Sequence, residues 1–362
     1  MNQSPDVAII GGGIIGLTTA IAAARRGLSV AVISDQRAGE ASGAAAGALA
    51  PSIERAEGAA HDFAIASRDM YPAYIEDLAE RTGIRVPLNR LGVLQVALTS
   101  GAVKGLRKTA PPTAQWIDRK ELAEAEPTLG HALGAMLNPD DGAVDNVTML
   151  RALSALIDTT PTITRIDQTA RRVSTRETGS VRIQLSSGKP IDSAFAVIAG
   201  GAWSSTIEGL PLISAVSPAR GQMVAYDSIG LRHVVFGPRG YLVPRVNIET
   251  IGGATMENVG FDASTTQEGI DRVRSTSEEI APALSVMQIR RSWAGLRPVT
   301  EDLLPLLGPD PERPTIIYSC GHSRNGILLA PLSAEVVGDM LLGEQVKHDL
   351  SQFRPERFQG RF

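Results

Sequence analysis

The segment that most constrains the fold is Val7-Ala8-Ile9-Ile10-Gly11-Gly12-Gly13-Ile14-Ile15-Gly16, running into Leu17 to Arg26. Val7 to Ile10 reads as a short buried parallel strand. Gly11, Gly13 and Gly16 stand at GxGxxG spacing, and Ile14 to Arg26 is an apolar, proline-free helix. At that spacing the first glycine permits a tight turn, the second lets a pyrophosphate approach the backbone, and the third lets helix and strand pack closely. The helix start then aims free N–H groups and a positive dipole end at the phosphates. A second strand, Ser29 to Ile33, completes a βαβ unit, the context that turns a weak motif into a strong one.

The rest of the composition narrows the class. The chain has 362 residues, 43% of them hydrophobic, so a large core is within reach. A net charge of −4 without runs of one sign argues against nucleic acid or an anionic membrane as partner. The single cysteine, Cys320, rules out an intrachain disulfide and a cysteine-based zinc site, and no metal is expected. Met1 to Asp6 lacks a basic n-region, and no uninterrupted apolar run is read as long enough to span a membrane. A soluble cytoplasmic enzyme is the expectation.

At the end of the second strand an acid ordinarily accepts hydrogen bonds from the adenosine ribose. Here the place reads Ser34-Asp35-Gln36-Arg37. Asp35 falls one residue late, and one residue along a strand turns the side chain to the other face. Ser34 with Arg37 would also suit a ribose 2′-phosphate, as in NADP enzymes. Next, Gly39 to Pro51 is a dense run of small residues, including Ser42, Ala44, Ala45, Ala46, Gly47 and Ala48. Such a backbone can lie flat against a large planar ligand. Ala199-Gly200-Gly201-Ala202-Trp203 and Cys320-Gly321-His322-Ser323-Arg324-Asn325-Gly326-Ile327 are two further strand-to-loop segments of this kind. Three such loops on strands far apart in sequence fit one extended cofactor threaded through a single sheet.

Between these loops, His61 to Arg81 has the apolar spacing of an amphipathic helix. Arg119 to Glu126 reads as a short helix, and Asp145-Asn146 caps another through Ile157. Thr162 to Arg172, Val181 to Leu185 and Ile191 to Ile198 read as three strands. Val216 to Tyr226, Val234 to Phe236, Tyr241 to Val246 and Ile248 to Gly252 make a β-rich block. Thr266 to Ile280 is helical, Gln288 to Leu296 and Thr315 to Ser319 are strands, and a helix runs to Leu342.

With these segments assembled, the chain resembles the glycine oxidase and D-amino-acid oxidase family of FAD flavoproteins almost end to end. The matches are Ile9 to Gly16, Ala44-Ala45-Ala46-Gly47, Tyr241-Leu242-Val243-Pro244-Arg245, Gly253-Ala254-Thr255-Met256, Trp293-Ala294-Gly295-Leu296-Arg297-Pro298 and Gly321 to Pro331. The last two are most similar to glycine oxidases of thiamine biosynthesis. The resemblance implies an α/β fold: a Rossmann-type, glutathione-reductase-like FAD-binding domain (1–85, 145–215 and 295–362) interleaved with a β-rich α+β substrate domain (86–144 and 216–294).

The resemblance also implies non-covalent FAD and oxidative deamination of a small amino acid or amine (glycine, sarcosine or a D-amino acid). Hydride would pass from the substrate Cα to flavin N5, giving an imine, then an oxo acid and ammonia, with O₂ reduced to H₂O₂. Tyr241 and Arg297 would hold the substrate carboxylate, Arg324 would lie near the same pocket, and Met256 and Ala48 would line it. FAD would contact Gly11, Gly13, Ile14, Ile15 and Gly16; Ser34, Asp35 and Ser42; and Ala44 to Gly47. Its remaining contacts would be Val173, Ala199, Gly200, Gly201 and Trp203, with Gly321, His322, Arg324, Asn325, Gly326 and Ile327 along the flavin ring. An arginine suits this role because its planar donors match a carboxylate bidentately. A homo-oligomer is hinted at by the resemblance, and no nucleic-acid or membrane partner is expected.

The chain departs from the family at Ser34, where an acid is usual, at Ala48, where glycine oxidases usually have methionine, and at Val299-Thr300 and Leu303-Leu304 after Arg297-Pro298. These changes fit a substrate larger than glycine, and equally a dehydrogenase of the same fold that passes electrons to a quinone or other acceptor. A non-catalytic dinucleotide-binding protein is the remaining alternative.

Overall fold

In the computed structural model, which describes residues 4–54, 56–245 and 247–360, the glycine-rich segment is strand β1 (Val7–Ile10), helix α1 (Ile14–Arg25) and strand β2 (Val30–Ile33). Met1 to Gln3 and Val246, which the sequence reading covered, lie outside the described residues. β1 and β2 pair in parallel, from Val7 opposite Val30 to Ile10 opposite Ile33. All eight residues are buried, because both faces of the sheet are covered; such strands read as continuous apolar runs rather than alternations.

The sheet has six strands in the order Leu306–Pro309, Ile316–Cys320, Phe195–Ile198, β1, β2, Ile163–Ile166. All neighbours are parallel except the first pair. One face, with Val7, Ile9, Val30, Val32, Val197 and Ile317, packs under α1 and the helices Ala59–Thr82, Asn146–Asp158 and Gly326–Leu342. The other face, with Ala8, Ile10, Ile33, Ile198 and Tyr318, meets a three-stranded antiparallel sheet of Ala170–Thr175, Val181–Leu185 and Pro190–Ser193.

A second sheet of eight strands runs Arg291–Val299, Ser217–Asp227, Glu249–Gly253, Tyr241–Arg245, Val234–Phe236, Val93–Val96, Gly134–Asn138, Gln115–Asp118. Leu122 from Arg119–Ala125, and Val273 and Ile280 from Gln267–Ile280, seal its core. The molecule is thus α/β, a parallel sheet joined to a β-rich part.

Some elements differ from their sequence reading. The run from Thr162 to Arg172 is two strands, split by a turn at residues 167–169 in which Gln168 N–H donates to Ile166 O (2.9 Å). The run from Ile191 to Ile198 also divides, and its halves join different sheets. The strand Arg291–Val299 runs unbroken across the 294/295 boundary drawn from sequence. A helix at Ser100–Lys108 went unread.

One helical stretch, Ser323–Leu342, is long and apolar enough to cross a membrane by length and composition, although Arg324, Glu335 and Asp339 interrupt its apolar run, as the sequence reading expects. Its position explains the composition, since 67% of it is buried, against α1 and Ala59–Thr82. Pro331 stands inside this helix and lacks the N–H that would bond Ile327 O. The buried Tyr71 hydroxyl donates to that carbonyl instead, and Ser67 Oγ donates to Leu328 O (2.7 Å).

Candidate active site

The turn after β1 has no room for side chains. A Cβ on Gly11, whose φ is +124°, would stand 2.1 Å from Ala199 O, and one on Gly16 would stand 1.9 Å from Gly11 O. Gly16 therefore packs the helix onto the turn and does not itself line the cleft, whereas Gly11, Gly12, Gly13, Ile14 and Ile15 do. No side chain caps α1 from its Gly13 N-cap; Ser42 Oγ reaches across to accept from Ile14 N–H (3.0 Å).

The small-residue loop forms the next wall, with Ser42 and Ala44 to Ala48 on the cleft. Gly47, at φ +79°, approaches Val144 so closely that a Cβ would stand 2.0 Å from its carbonyl oxygen. Arg245, from the strand Tyr241–Arg245, clamps this loop. It donates to Ala46 O (3.1 Å), Val144 O (3.0 Å) and Asn146 Oδ1 (2.6 Å), with Asp145 3.6 Å from its Nε. Trp293 Nε1 donates to Ala44 O (2.9 Å).

Ser34, Asp35, Arg37, Gln168, Thr169 and Trp203 line one end of the cleft. Burial pushes the Asp35 carboxyl up, but Arg37 (3.1 Å) and Thr169 Oγ1 (2.8 Å) outweigh it and hold the group below the usual range. Arg37 is thereby engaged, and its guanidinium also lies over the Trp203 ring at 5.4 Å. Ala199, Gly200 and Gly201 line the same wall. Val173 does not. It stands beyond the point where the strand leaves the cleft at Ala170, with its side chain in the core and its N–H donating to Glu208 O (2.9 Å).

At the other end, Tyr241 and Arg297 come together. The Tyr241 hydroxyl donates toward Met223 Sδ (3.6 Å), and its ring tilts against Phe236 at 5.3 Å. Burial pushes its phenol up, and Arg297 and Arg324 only partly oppose this, so it stays a protonated donor. Arg297 Nη1 donates to Thr255 O (3.0 Å), and its guanidinium lies over Gly221, where a Cβ would be 1.9 Å from Nη1. Arg324 lines this end and pairs with Glu54. Ala48 lines the cleft, but Met256 is 51% exposed and does not. Beyond the end of the strand Glu249–Gly253, Thr255 turns inward, its Oγ1 accepting from Gln222 N–H (2.9 Å), while Met256 faces out.

Gly321 to Ile327 close the cleft at the start of Gly326–Leu342, whose Asn325 N-cap also forms no side-chain cap. His322 is buried beside Ser333 Oγ (3.2 Å), and burial lowers its pKa to about 3, so it is neutral. Burial also pushes the Cys320 thiol up to about 12, leaving it an inert apolar lining group. Sequence reasoning missed Glu54, Gly221, Met223 and Phe236; for Glu54 the available signal was an acid just after the small-residue loop.

These features fit FAD. Two helix starts without side-chain caps face one elongated cleft, a setting that favours negative charge. Between them Ser319 Oγ and Ser323 Oγ are buried without a partner on the cleft wall. No group of three or more His, Cys, Asp or Glu side chains among the described residues could hold a metal.

Comparison with known proteins agrees with the geometry. The family model of FAD dependent oxidoreductases (DAO) matches residues 6–340. The bifunctional protein ThiO/ThiG of Synechocystis sp. is 34% identical over 369 residues, which cover 99% of this chain and 55% of that protein. The chain thus spans about half the length of these bifunctional relatives. The glycine oxidase of Bacillus licheniformis is 31% identical over 373 residues, covering 99% of this chain and 98% of that one. The crystal structure of glycine oxidase from Geobacillus kaustophilus superposes with a TM-score of 0.90 at 30% identity, covering 98% of this chain and 99% of that one.

Proposed function

This chain belongs to the FAD-dependent oxidoreductase (DAO) family, and from that premise we propose that it oxidises the carbon–nitrogen bond of a small amino acid or amine bearing one carboxylate. Glycine, sarcosine and small D-amino acids are the substrate class. The observation that carries the reading is the meeting of Arg297 and the protonated Tyr241 at one end of the cleft, with apolar walls of Met223 and Phe236.

Arg297 donates to Thr255 O and lies against the Tyr241 hydroxyl, contacts that fix the plane of a guanidinium whose paired donors suit a carboxylate. Tyr241 adds a neutral donor, and together they fix the rotation of the substrate about its carboxylate axis. Met223, Phe236 and Ala48 keep water from the Cα. Burial lowers the His322 pKa to about 3, so this imidazole, set beside Ser333, is a poor base toward the amine, and no side-chain base is required where the amine arrives neutral. Toward the cofactor, Gly11 to Ile15 would hold the pyrophosphate, Ser34, Asp35 and Thr169 the nucleoside end, and Gly321 to Ile327 the ring. Bound FAD supplies the acceptor for the two electrons removed from the substrate. The imine is then hydrolysed to an oxo acid and ammonia (methylamine where the substrate is sarcosine), and O₂ is the final acceptor, leaving as H₂O₂.

On this reading residues 1–85, 145–215 and 295–362 form the cofactor domain and 86–144 with 216–294 the substrate domain; the substrate end is lined by Gly221, Met223, Phe236 and Tyr241 of the latter together with Ala48, Arg297 and Arg324 of the former. The test is anaerobic absorption spectroscopy of the purified holoprotein. Glycine, sarcosine or D-alanine should bleach the flavin band, and air should restore it with formation of H₂O₂. Failure of every small amine to bleach it removes the substrate assignment; slow recovery in air removes O₂ as acceptor.

A further inference from the structure

The substrate end of the cleft carries two arginines, and their surroundings differ. Arg297 faces no carboxylate within salt-bridge distance among the described residues. Arg324, with 54% of its side chain exposed, donates through Nη2 to Glu54 at 2.5 Å. Both partners line the cleft. An unpaired arginine at this place would be a second anion site, since its planar donors suit any carboxylate. Glu54 fills that site with a carboxylate of the protein's own.

The geometry also keeps Glu54 where it is. Two residues earlier, Ser52 donates to Asp141 through its N–H (3.2 Å) and its hydroxyl (3.3 Å). Asp141 is fully buried and is held in turn by Arg68 Nη1 (2.9 Å). Glu54 N–H closes a turn onto Ala50 O (3.4 Å). The acid is thus carried by an anchored loop, and Arg324 by the segment that starts Gly326–Leu342.

We infer that Glu54 determines specificity: by occupying Arg324 it limits the pocket to substrates with one carboxylate and turns away those with a second anionic group. This rests on the amine-oxidase reading above. A dicarboxylic amino acid bound through Arg297 would bring its second carboxylate against Glu54, a like charge, rather than against a free arginine.

The experiment compares holoenzyme forms: wild type, Glu54→Gln, Arg324→Gln and the double variant. Binding of malonate and acetate, neither of which can be oxidised as an amine, is read from the perturbation of the flavin absorption band. Turnover of D-aspartate against D-alanine is measured in parallel. Glu54→Gln should raise the malonate-to-acetate affinity ratio, and the D-aspartate-to-D-alanine kcat/KM ratio, about tenfold or more, and the double variant should lose the gain. Arg324→Gln alone, which leaves Glu54 unpaired, should lower the malonate ratio below wild type. An unchanged ratio in Glu54→Gln, a gain that survives in the double variant, or a raised ratio in Arg324→Gln overturns the inference. If no amine reduces the wild-type flavin, the amine-oxidase reading falls, while the malonate ratio still reports on Glu54 separately.

Discussion

Gly221 is a glycine because Arg297 needs its space. An added Cβ would lie 1.9 Å from Nη1 and 2.4 Å from Cζ, so Gly221→Ala must push the guanidinium out of its plane against Thr255 O. Substrate KM should rise about tenfold or more while flavin content is kept, because the substitution lies at the substrate end. Arg297→Lys keeps the charge but loses the planar pair of donors. One charged hydrogen bond is worth roughly 1.5–3 kcal/mol, so KM should rise about tenfold to a hundredfold in steady-state assays. Retained KM in either variant would remove Arg297 from the carboxylate site. His322 governs a different property. Its folded pKa of about 3 lies below the ordinary 6.5, so between those values the unfolded chain binds a proton that the folded chain does not. Stability therefore falls as pH drops from 6.5 toward 3, by up to about 1.4 kcal/mol per pH unit from this group. Denaturant unfolding of the flavin-saturated protein between pH 7 and 5 should show a shallower loss in His322→Gln than in wild type; equal slopes would refute the assignment.

At the scale of elements, the strand Tyr241–Arg245 serves the site at both ends. Tyr241 enters the cleft, and Arg245, four residues on and so on the same face, ties down the loop that forms the opposite wall. Burial pushes the Arg245 guanidinium down, with Asp145 and Glu249 partly offsetting it. Arg245→Met would strand the carbonyls of Ala46 and Val144 and the Asn146 side chain, and leave Asp145 without its cation. A loss of about 2–4 kcal/mol in denaturant unfolding is expected, with weaker flavin retention on gel filtration. Neither effect would be seen if the clamp were only a surface contact. Elements of this kind mark where sequence reading stops. The βαβ unit was legible because glycine spacing and apolar periodicity are local. Arg297 and Tyr241 were legible through the motifs around them. The clamp joins residues 199 apart and the Arg324–Glu54 pair joins residues 270 apart, so no window of sequence contains either. The same limit explains the misread strands: whether 162–172 is one strand or two depends on which sheet each half joins, and that is decided by distant partners.

For the whole molecule, the cleft is where the two large sheets face each other. Ile10, Ile33, Ala199 and Cys320 come from the six-stranded sheet and its exits; Gly221, Met223, Phe236, Tyr241 and Arg297 come from the eight-stranded one. A ligand seated there touches strands that lie far apart in the chain and have no common surface once it unfolds. FAD should therefore bind the folded form alone and stabilise it by mass action, about 2.7 kcal/mol at a hundred times its Kd. For a chain of this length that is a rise of roughly several degrees in Tm. The deflavinated protein, melted at increasing FAD, should show Tm climbing steadily with the logarithm of FAD concentration. Gly11→Ala, whose Cβ would meet Ala199 O at 2.1 Å and whose φ of +124° disfavours any side chain, should lose that climb along with the flavin. A Tm independent of FAD over a hundredfold range, in a protein whose spectrum shows the flavin bound, would mean that the cofactor does not link the two sheets. A climb that persists in Gly11→Ala would mean that the turn after β1 is not where the pyrophosphate sits.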